Sequence, residues 1–293
     1  MRMRLAQRAV HSSTIDVAHR IVEVRFSNES ARDLFTDRFR DHASRRVAEF
    51  TYYVTDDRGS QYFWSESSQA WRWPALTTPE ATTFLTDAVV LSAVVRSDPS
   101  LVSLHASVVA HKGRIAAIAG DSLAGKTTTA IACVRRSMQF YSDERLLMRD
   151  GTVFPFQRTC SLRAASRQLL DRDGLDDAFG DWLHSSACDG EGAEYVSIGE
   201  LFGPKTIGNP SRLASVFVLS GHGEHPIVRA IDCYEALPTL LRWMDSREVG
   251  VKRVAQLVEL IAGVPCFALT LGTPRRTADA IADAVEALKR DAA

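Results

Sequence analysis

The feature that most constrains this chain is a glycine-rich stretch that lies between an apolar run and a helix-like pattern. It follows the run 115–119 and fits the pattern G-x-x-x-x-G-K-[ST]. In such a loop the glycines allow close approach of the backbone, and the N–H groups form a cradle for phosphate with the N-terminus of the next helix. The pattern therefore predicts a strand, a phosphate-binding loop and a helix in succession. The candidate nucleotide-binding residues are Gly120, Asp121, Ser122, Leu123, Ala124, Gly125, Lys126, Thr127 and Thr128.

Two side chains of this loop indicate what it binds. Lys126 can reach the terminal phosphates of a nucleotide as a compact charge, and the Thr127 hydroxyl can bind Mg²⁺. An ordinary glycine turn before a helix is the competing explanation, but the strand-loop-helix context favours the phosphate loop. The sequence therefore predicts ATP and Mg²⁺ as ligands.

Composition limits the remaining function classes. The chain has 293 residues, of which 45% are hydrophobic and 24% are charged, as in an ordinary globular protein of one or two domains. The net charge of −1 gives no broad electrostatic reason to bind nucleic acid, and no apolar run is long enough to cross a bilayer. The five cysteines form no C-x-x-C pair and fit a reducing cytosol. We therefore expect a cytoplasmic protein that binds neither nucleic acid nor membranes.

A turn-forming stretch, Asp98-Pro99-Ser100, divides the chain. The residues before it predict a small N-terminal α+β domain, 1–98, and those after it predict an α/β catalytic domain, 99–293. In the second domain we expect strand 227–231 to pair with strand 214–219 across a short turn. The strands predicted there are 101–110, 115–119, 139–148, 214–219, 227–231 and 266–271, and the helices cover about 126–136, 164–172, 235–245, 251–261 and 281–288.

One segment, 173–194, carries seven acidic residues and no Lys or Arg. This composition is typical of a solvated loop or a mobile flap, and it favours a basic acceptor. Several basic side chains elsewhere are candidates for binding phosphate or substrate, although each alone is more typical of a solvated surface charge. They are Arg163, Lys205, Arg212, Arg253, Arg275 and Arg276.

Three residues outside the loop narrow the chemistry. His105 lies in the strand before the loop strand, and Asp143 and Glu144 lie at the end of the strand that follows the loop helix. A hairpin and a strand-helix-strand unit can bring all three to the loop's edge of a sheet. Phosphoryl transfer to a hydroxyl needs a positioned triphosphate, Mg²⁺ and a group that accepts the hydroxyl proton.

These residues can supply what phosphoryl transfer needs. Thr127 and one carboxylate can hold the metal, the other carboxylate can act as base, and His105 can orient the base or neutralise phosphoryl charge. The longer side chain of Glu144 favours it as the base and leaves Asp143 as a metal ligand beside Thr127. A core histidine and two solvated strand-end carboxylates are the structural alternatives. The candidate catalytic residues are His105, Lys126, Asp143 and Glu144.

With these residues in place, the segment 99–163 resembles the kinase domain of the HPr kinase/phosphorylase family. That family has a His in a short strand, a G-x-S-G-x-G-K-[ST] loop and an acidic pair that closes the next strand. The resemblance extends more weakly through the later elements to residue 290. It implies a mixed-sheet P-loop kinase domain related to phosphoenolpyruvate carboxykinase, the use of ATP and Mg²⁺, and assembly into homo-oligomers.

The later part is similar to shorter HPr-kinase-like proteins, including kinases that modify ribosomal peptides such as lasso-peptide precursors. The resemblance thus implies an ATP- and Mg²⁺-dependent kinase whose acceptor is a Ser or Thr hydroxyl of a peptide or protein, or a small-molecule hydroxyl. A ribosomal peptide precursor is one candidate acceptor.

Three departures from the family pattern matter. Glu144 replaces the usual second Asp, and Leu123 replaces the glycine at the fourth position of the loop. The later Glu-Ile-Arg-Gly-Leu-Gly signature is absent, and 159–163 stand near its place. Its absence argues against phosphorylase activity and against HPr itself as the substrate.

Two other function classes remain open. The chain can be an ATP-binding regulatory or partner protein with little or no kinase activity, or an enzyme that uses the loop for phosphate and transfers another group. The acidic pair favours the kinase, because a protein that merely binds a nucleotide needs no base.

Overall fold

The computed structural model describes residues 2–57, 60–65, 71–74, 79–172, 193–244 and 251–288. They form two units, Met1–Pro99 and Ser100–Ala293, and each unit is mixed α/β with a sheet that contains both parallel and antiparallel pairs. The acidic segment 173–194 lies outside the described residues except for positions 193 and 194. Among the described helices, none is long and apolar enough to cross a membrane.

The first unit is built on a five-stranded sheet whose strands follow their order in the chain. Its second and third strands run parallel, because the helix Glu29–Arg38 crosses over between them. Asn28 caps this helix by accepting a hydrogen bond from the Ala31 N–H, and Phe35 is buried on its inner face. The elements are α1 (Arg2–Ala6), β1 (His11–Val17), β2 (Arg20–Phe26), α2 (Glu29–Arg38), β3 (Phe50–Asp57), β4 (Ser60–Ser65), β5 (Trp71–Pro74) and α3 (Pro79–Ser97).

The second unit contains the predicted phosphate loop. Its strands are β6 (Val102–Leu104), β7 (Ala106–His111), β8 (Arg114–Ala119), β9 (Gln139–Ser142), β10 (Leu146–Arg149), β11 (Thr152–Phe154), β12 (Cys160–Arg163), β13 (Ala193–Val196), β14 (Ser211–His222), β15 (Ile227–Ile231) and β16 (Cys266–Leu271). Its helices are α4 (Lys126–Arg135), α5 (Ala164–Arg172), α6 (Ile198–Phe202), α7 (Cys233–Arg242), α8 (Val251–Ile261) and α9 (Pro274–Ala287).

The long strand β14 is the centre of the main sheet. Its first residues pair antiparallel with β11, its middle residues pair parallel with β8, and its last residues pair parallel with β16. On the other side of β8, β7 pairs antiparallel with β8, and β9 pairs antiparallel with β7. The carboxyl ends of β8, β9, β14 and β16 therefore lie at one edge of the sheet, here called the loop edge.

One pairing differs from the sequence prediction. Strand β15 (227–231) pairs antiparallel with β16, whereas the sequence predicted that it pairs with β14. Both sides of β14 are already occupied over this stretch, because β8 pairs with one side and β16 with the other. The short turn after β14 therefore carries the chain past β16. The prediction that β15 pairs with β14, which rested on their proximity in sequence, was wrong.

Helices cover both faces of this sheet, as the alternation along β8 requires. Ala116 and Ile118 belong to an apolar cluster with α4 and α9, whereas Ile115, Ala117 and Ala119 belong to a second cluster with α7 and α8. Every one of these five side chains is buried. Burial on both faces explains why the strand before the loop is a continuous apolar run.

Two strands that the sequence predicted to be continuous are interrupted. The predicted strand 101–110 breaks at His105 into β6 and β7, and the predicted strand 139–148 breaks at 143–145 into β9 and β10. Leu104 lies opposite Leu146 on one side of the break and Val108 opposite Ser142 on the other, in the same register, which then shifts by one residue between Val108 and Val109. The two interruptions therefore face each other as one gap in a single antiparallel ladder.

Candidate functional site

The phosphate loop runs from the end of β8 to the first residue of α4. Gly125 has φ +100, in the left-handed region, and a Cβ there would come within 2.9 Å of Leu271 Cδ1. A Cβ at Gly120 would come within 2.8 Å of the Leu219 Cβ. Leu219 belongs to β14 and Leu271 to β16, so the loop is packed against the ends of both neighbouring strands. Glycine is needed at both positions, for the backbone conformation at Gly125 and for close approach at Gly120.

The middle of the loop contains a residue in an unfavourable conformation. Leu123 has φ +66 although it is not glycine, and its side chain is exposed. The left-handed conformation costs roughly 1–2 kcal/mol for a residue with a Cβ. This is the position at which the resembling family has glycine, so the geometry gives a physical reason for that preference.

Lys126 lies inside the loop. The residue is 6% exposed, and its Nζ donates to the Gly120 carbonyl at 3.0 Å and to the Asp121 carbonyl at 2.9 Å. Burial lowers the pKa of the Lys126 ammonium, and the negative charges of Asp121 and Asp143 oppose that shift. The side chain is therefore held at the centre of the loop, within electrostatic reach of the acidic pair.

The remaining loop residues lie in the turn and in the first turn of the helix that follows. Thr127 is half-buried and Thr128 is buried, and both lie in the first turn of α4. Ser122 is exposed, and the Ala124 N–H donates to the Asp121 carbonyl at 3.2 Å to close the turn. The Thr127 hydroxyl thus lies at the loop edge, where the sequence predicted a metal ligand.

Side-chain hydrogen bonds hold open the gap in the ladder. The Ser142 Oγ accepts from the N–H groups of Glu144 and Arg145 at 3.2 and 2.9 Å, which takes both donors out of strand pairing. The Ser107 Oγ donates to the Asp143 carbonyl at 2.7 Å. The chain therefore turns at the acidic pair, which a continuous strand would place on alternate faces of the sheet.

His105 lies opposite this turn. Its own N–H donates to the Trp243 carbonyl at 2.8 Å, and the next N–H, from Ala106, donates to the Glu144 carbonyl at 3.2 Å. Because Ala106 pairs with Ala119, the last residue of β8, His105 lies beside the start of the phosphate loop.

The charges at this edge interact. Burial, followed by the positive charges of Lys126 and Arg145, lowers the pKa of His105 to about 4. His105 is therefore neutral at neutral pH in this arrangement, so it can orient a partner through a hydrogen bond but does not supply a positive charge. Lys126 in turn interacts with Asp143, so the structure brings three of the four predicted catalytic residues into one electrostatic cluster.

Glu144, the fourth, has a different partner. Its carboxylate forms an ion pair with the guanidinium of Arg158, which is buried in the segment between β11 and β12. The same guanidinium lies 5.6 Å from the centre of the Phe156 ring. Arg158 was not among the residues predicted from the sequence, because nothing in its local pattern marks it.

The sequence analysis also missed Arg242 and Trp243, which contact the phosphate loop. The Asp121 Oδ1 accepts from Arg242 Nη1 at 3.2 Å and from Trp243 Nε1 at 3.3 Å. The Trp243 ring also lies 5.4 Å from the His105 ring and 5.7 Å from Lys126 Nζ. No sequence signal links them to the loop, because more than a hundred residues separate the two.

Three of the six basic residues proposed to bind phosphate or substrate lie away from the loop edge or donate to another group. Arg253 donates to the Leu101 carbonyl at 2.8 Å, and Arg212 lies at the start of β14, opposite the loop edge. Arg276 is at the loop edge, where its Nη1 donates to His225 Nδ1 at 2.8 Å. The other three, Arg163, Lys205 and Arg275, are exposed.

The oxygen ligands at this edge suit Mg²⁺. Within the described ranges, no cluster of three or more His, Cys, Asp and Glu side chains is placed to hold a metal ion. Mg²⁺ is usually bound by one or two carboxylates together with phosphate oxygens and water. Thr127, Asp143 and Glu144 are hard oxygen donors at the same sheet edge as the phosphate loop, so the residues present fit this ion.

No protein-family model matches this chain, and no curated protein matches its sequence. Among solved structures it is similar to the Hpr(Ser) kinase/phosphatase from Coxiella burnetii, with 14% identity. The match covers 64% of this chain and 91% of that chain, with a TM-score of 0.35. At this identity and TM-score the likeness carries no argument about activity.

Proposed function

We propose that this chain is an ATP- and Mg²⁺-dependent kinase that transfers the γ-phosphoryl group to a hydroxyl. The observation that carries this assignment is the clustering of the Lys126 ammonium, His105 and the acidic pair Asp143-Glu144 at one sheet edge. Phosphoryl transfer requires positioned charges more than covalent chemistry, and this cluster offers a lysine, carboxylates and a phosphate cradle together.

The loop and its lysine bind the triphosphate. The N–H groups of the loop face the phosphate oxygens, and the Lys126 Nζ exchanges its backbone carbonyl acceptors for the terminal phosphates. The Thr127 hydroxyl and one carboxylate of the pair hold Mg²⁺ together with the phosphates. Bound Mg²⁺ neutralises the charge on the phosphoryl oxygens.

The ion pair of Glu144 argues against this residue as the base, which leaves Asp143 for that role. The Glu144 carboxylate contacts a buried guanidinium, and such a partner stabilises the anion and makes it a poor proton acceptor. Asp143 interacts electrostatically with Lys126, and we expect this lysine to turn toward the phosphates when a nucleotide binds. This assignment reverses the expectation from side-chain length, which made Glu144 the base and Asp143 a metal ligand. With Asp143 as base, Glu144 becomes the metal ligand of the pair.

His105 acts as a neutral imidazole. With its pKa near 4 it carries no charge at neutral pH, so its role is to hold the base or the acceptor hydroxyl through a hydrogen bond. We therefore expect it to assist transfer without being indispensable.

The acceptor is a Ser or Thr hydroxyl of a peptide or protein, with a ribosomal peptide precursor and small-molecule hydroxyls as candidates. The acidic segment 173–194 favours acceptors with positive charge. A cytoplasmic location and assembly into a homo-oligomer are part of the same proposal.

A second candidate is an ATP-binding regulatory or partner protein with little kinase activity. The observation that favours it is the Glu144–Arg158 ion pair, because a carboxylate held by a guanidinium is a poor proton acceptor. In that case the loop binds the nucleotide, and its binding alone carries the signal.

The two candidates differ in one assay. The chain is incubated with Mg²⁺, γ-labelled ATP and hydroxyl-containing peptides of opposite net charge, and ATP binding is measured in parallel by calorimetry. Label transfer to the basic peptides supports the kinase. Tight ATP binding without transfer to any acceptor contradicts the kinase and supports the regulator.

A further inference from the structure

The second residue of the phosphate loop carries a negative charge where phosphate is expected to bind. The Asp121 side chain is exposed and follows Gly120, the first residue of the cradle. Two unit charges at 4 Å interact by about 1 kcal/mol in water and by more near a protein surface. An uncompensated carboxylate here therefore opposes the binding of a polyphosphate.

The end of α7 compensates this charge. Arg242, the last residue of the helix, forms an ion pair with the Asp121 carboxylate, and Trp243, its C-terminal cap, donates its indole N–H to the same oxygen. Lys126 binds the carbonyl of the same aspartate. The Asp121 Oδ1 atom thus accepts two hydrogen bonds, one of them from a charged group. These bonds fix the orientation of the carboxylate.

This end of α7 is anchored. Ala236 and Leu240 bury one face of the helix in the core of the second unit. Beyond the helix, the Trp243 carbonyl accepts the His105 N–H, and Met244 forms a β-bridge with Leu104. Arg242 and Trp243 are therefore held beside the loop by contacts that do not involve Asp121.

We propose that Arg242 and Trp243 are positioning residues that neutralise and orient Asp121, so that the phosphate loop accepts a polyphosphate. The ligand class rests on the function proposed above, but the inference concerns binding and not transfer. Arg242 acts through Asp121 and does not touch the nucleotide, which makes its effect dependent on the charge at position 121.

A double-mutant cycle tests this dependence. ATP affinity is measured by calorimetry for the parental chain and for Arg242→Ala, Arg242→Lys, Asp121→Asn and the Arg242→Ala/Asp121→Asn double variant. We expect Arg242→Ala to weaken binding about tenfold in the parental chain and about threefold or less in the Asp121→Asn chain. Arg242→Lys keeps the charge and restores most of the affinity. Equal weakening in both backgrounds overturns the inference, because Arg242 then acts independently of Asp121.

The indole donor is tested in the same way. Trp243→Phe keeps an aromatic ring and removes the Nε1 donor, and we expect about a threefold loss of ATP affinity that disappears in the Asp121→Asn background. Thermal melting of each variant separates a loss of binding from a loss of folding. An equal loss in both backgrounds contradicts the role assigned to the indole.

The outcome is separate from that of the kinase assay. A parental chain that binds ATP and transfers no phosphoryl group overturns the kinase, and the cycle still decides the role of Arg242. A parental chain that binds no nucleotide at all overturns both proposals.

Discussion

A histidine, a lysine and a carboxylate lie near each end of the β7–β8 hairpin, in very different surroundings. The loop-end set is His105, Lys126 and Asp143, and the turn-end set is His111, Lys112 and Glu286. In the first set, Lys126 is 6% exposed and bonded to backbone carbonyls. In the second set, Lys112 is exposed and contacts Glu286 directly, and His111 Nε2 lies 2.7 Å from the same carboxylate.

The difference is visible in the pKa values. At the loop end, burial is the largest cause, and it lowers the pKa of both His105 and Lys126. At the turn end, hydrogen bonds from Lys112 and then His111 lower the pKa of Glu286 to about 2. Ion pairs at a surface are common in folded proteins, whereas a buried lysine beside a half-buried histidine with a lowered pKa is typical of a binding or catalytic site. The surroundings, and not the residue types, therefore distinguish the two ends.

The largest expected difference between the two ends is the effect of replacing their lysines on Mg·ATP affinity. Lys126→Ala removes the charged donor at the centre of the loop, and we expect Mg·ATP affinity measured by calorimetry to fall by about 100-fold. Lys112→Ala is the matched control at the turn end and should leave the affinity unchanged. Parental affinity in Lys126→Ala would show that the loop does not bind phosphate through this lysine.

The second-largest expected effect is that of replacing the carboxylates on the rate of phosphoryl transfer. Asp143→Asn keeps the shape and removes the anion, and we expect kcat to fall by about 10²–10³-fold with little change in ATP affinity, because a base acts in the transition state. Glu144→Gln should chiefly raise the Mg²⁺ concentration needed for half-maximal rate. Both are measured by initial rates of label transfer over a range of Mg²⁺ concentrations, with Glu286→Gln as the control at the turn end.

Two results would change this assignment. A larger loss of kcat in Glu144→Gln than in Asp143→Asn would make Glu144 the base and Asp143 the metal ligand, as the length of the Glu144 side chain suggested. Parental transfer in both carboxamide variants at saturating Mg·ATP would exclude a kinase of the proposed kind.

The lowered pKa of His105 should make the stability of the chain depend on pH. Because the folded pKa of His105 is about 4, below its ordinary value of 6.5, the folded state binds fewer protons than the unfolded state between these values. The free energy of unfolding therefore rises with pH from about 4 to 6.5 and gains nothing further from this group above that window. We expect His105→Gln to show a smaller rise in urea-unfolding free energy between pH 4.5 and 7 than the parental chain. A rise in His105→Gln equal to that of the parental chain would contradict the lowered pKa of His105.

Several elements were predictable because one local rule fixes each of them. The apolar run before the loop is buried on both faces, and the positive φ of Gly125 is a local requirement for glycine. Simple periodicities in the second half of the sequence predicted its strands and helices. The structure confirms predicted elements such as α5, α8 and β16. The loop edge also follows from chain direction, because β8 and β9 run the same way.

The remaining features depend on contacts between distant parts of the chain. The gap at His105 and Asp143 is invisible in the apolar pattern, because hydrogen bonds accepted by Ser142 Oγ and donated by Ser107 Oγ create it within sequences that favour strands. Arg158 and Trp243 reach the site from other elements, so no spacing rule relates them to it. The predicted partner of β15 was wrong for the same reason. The neighbour of a strand depends on which strand edges are already occupied.

The smallest expected effect belongs to the turn end. Because its folded pKa is near 2 and its ordinary value is 4.5, Glu286 contributes stability that is fully present above pH 4.5 and is lost as the pH falls toward 2. Glu286→Gln should therefore lower the melting temperature slightly at neutral pH, and the difference from the parental chain should shrink below pH 4.5. The group is exposed and screened by solvent, so high salt should reduce the effect further. ATP affinity should be parental in this variant, since a loss like that of Lys126→Ala would mean that the two ends of the hairpin are functionally connected.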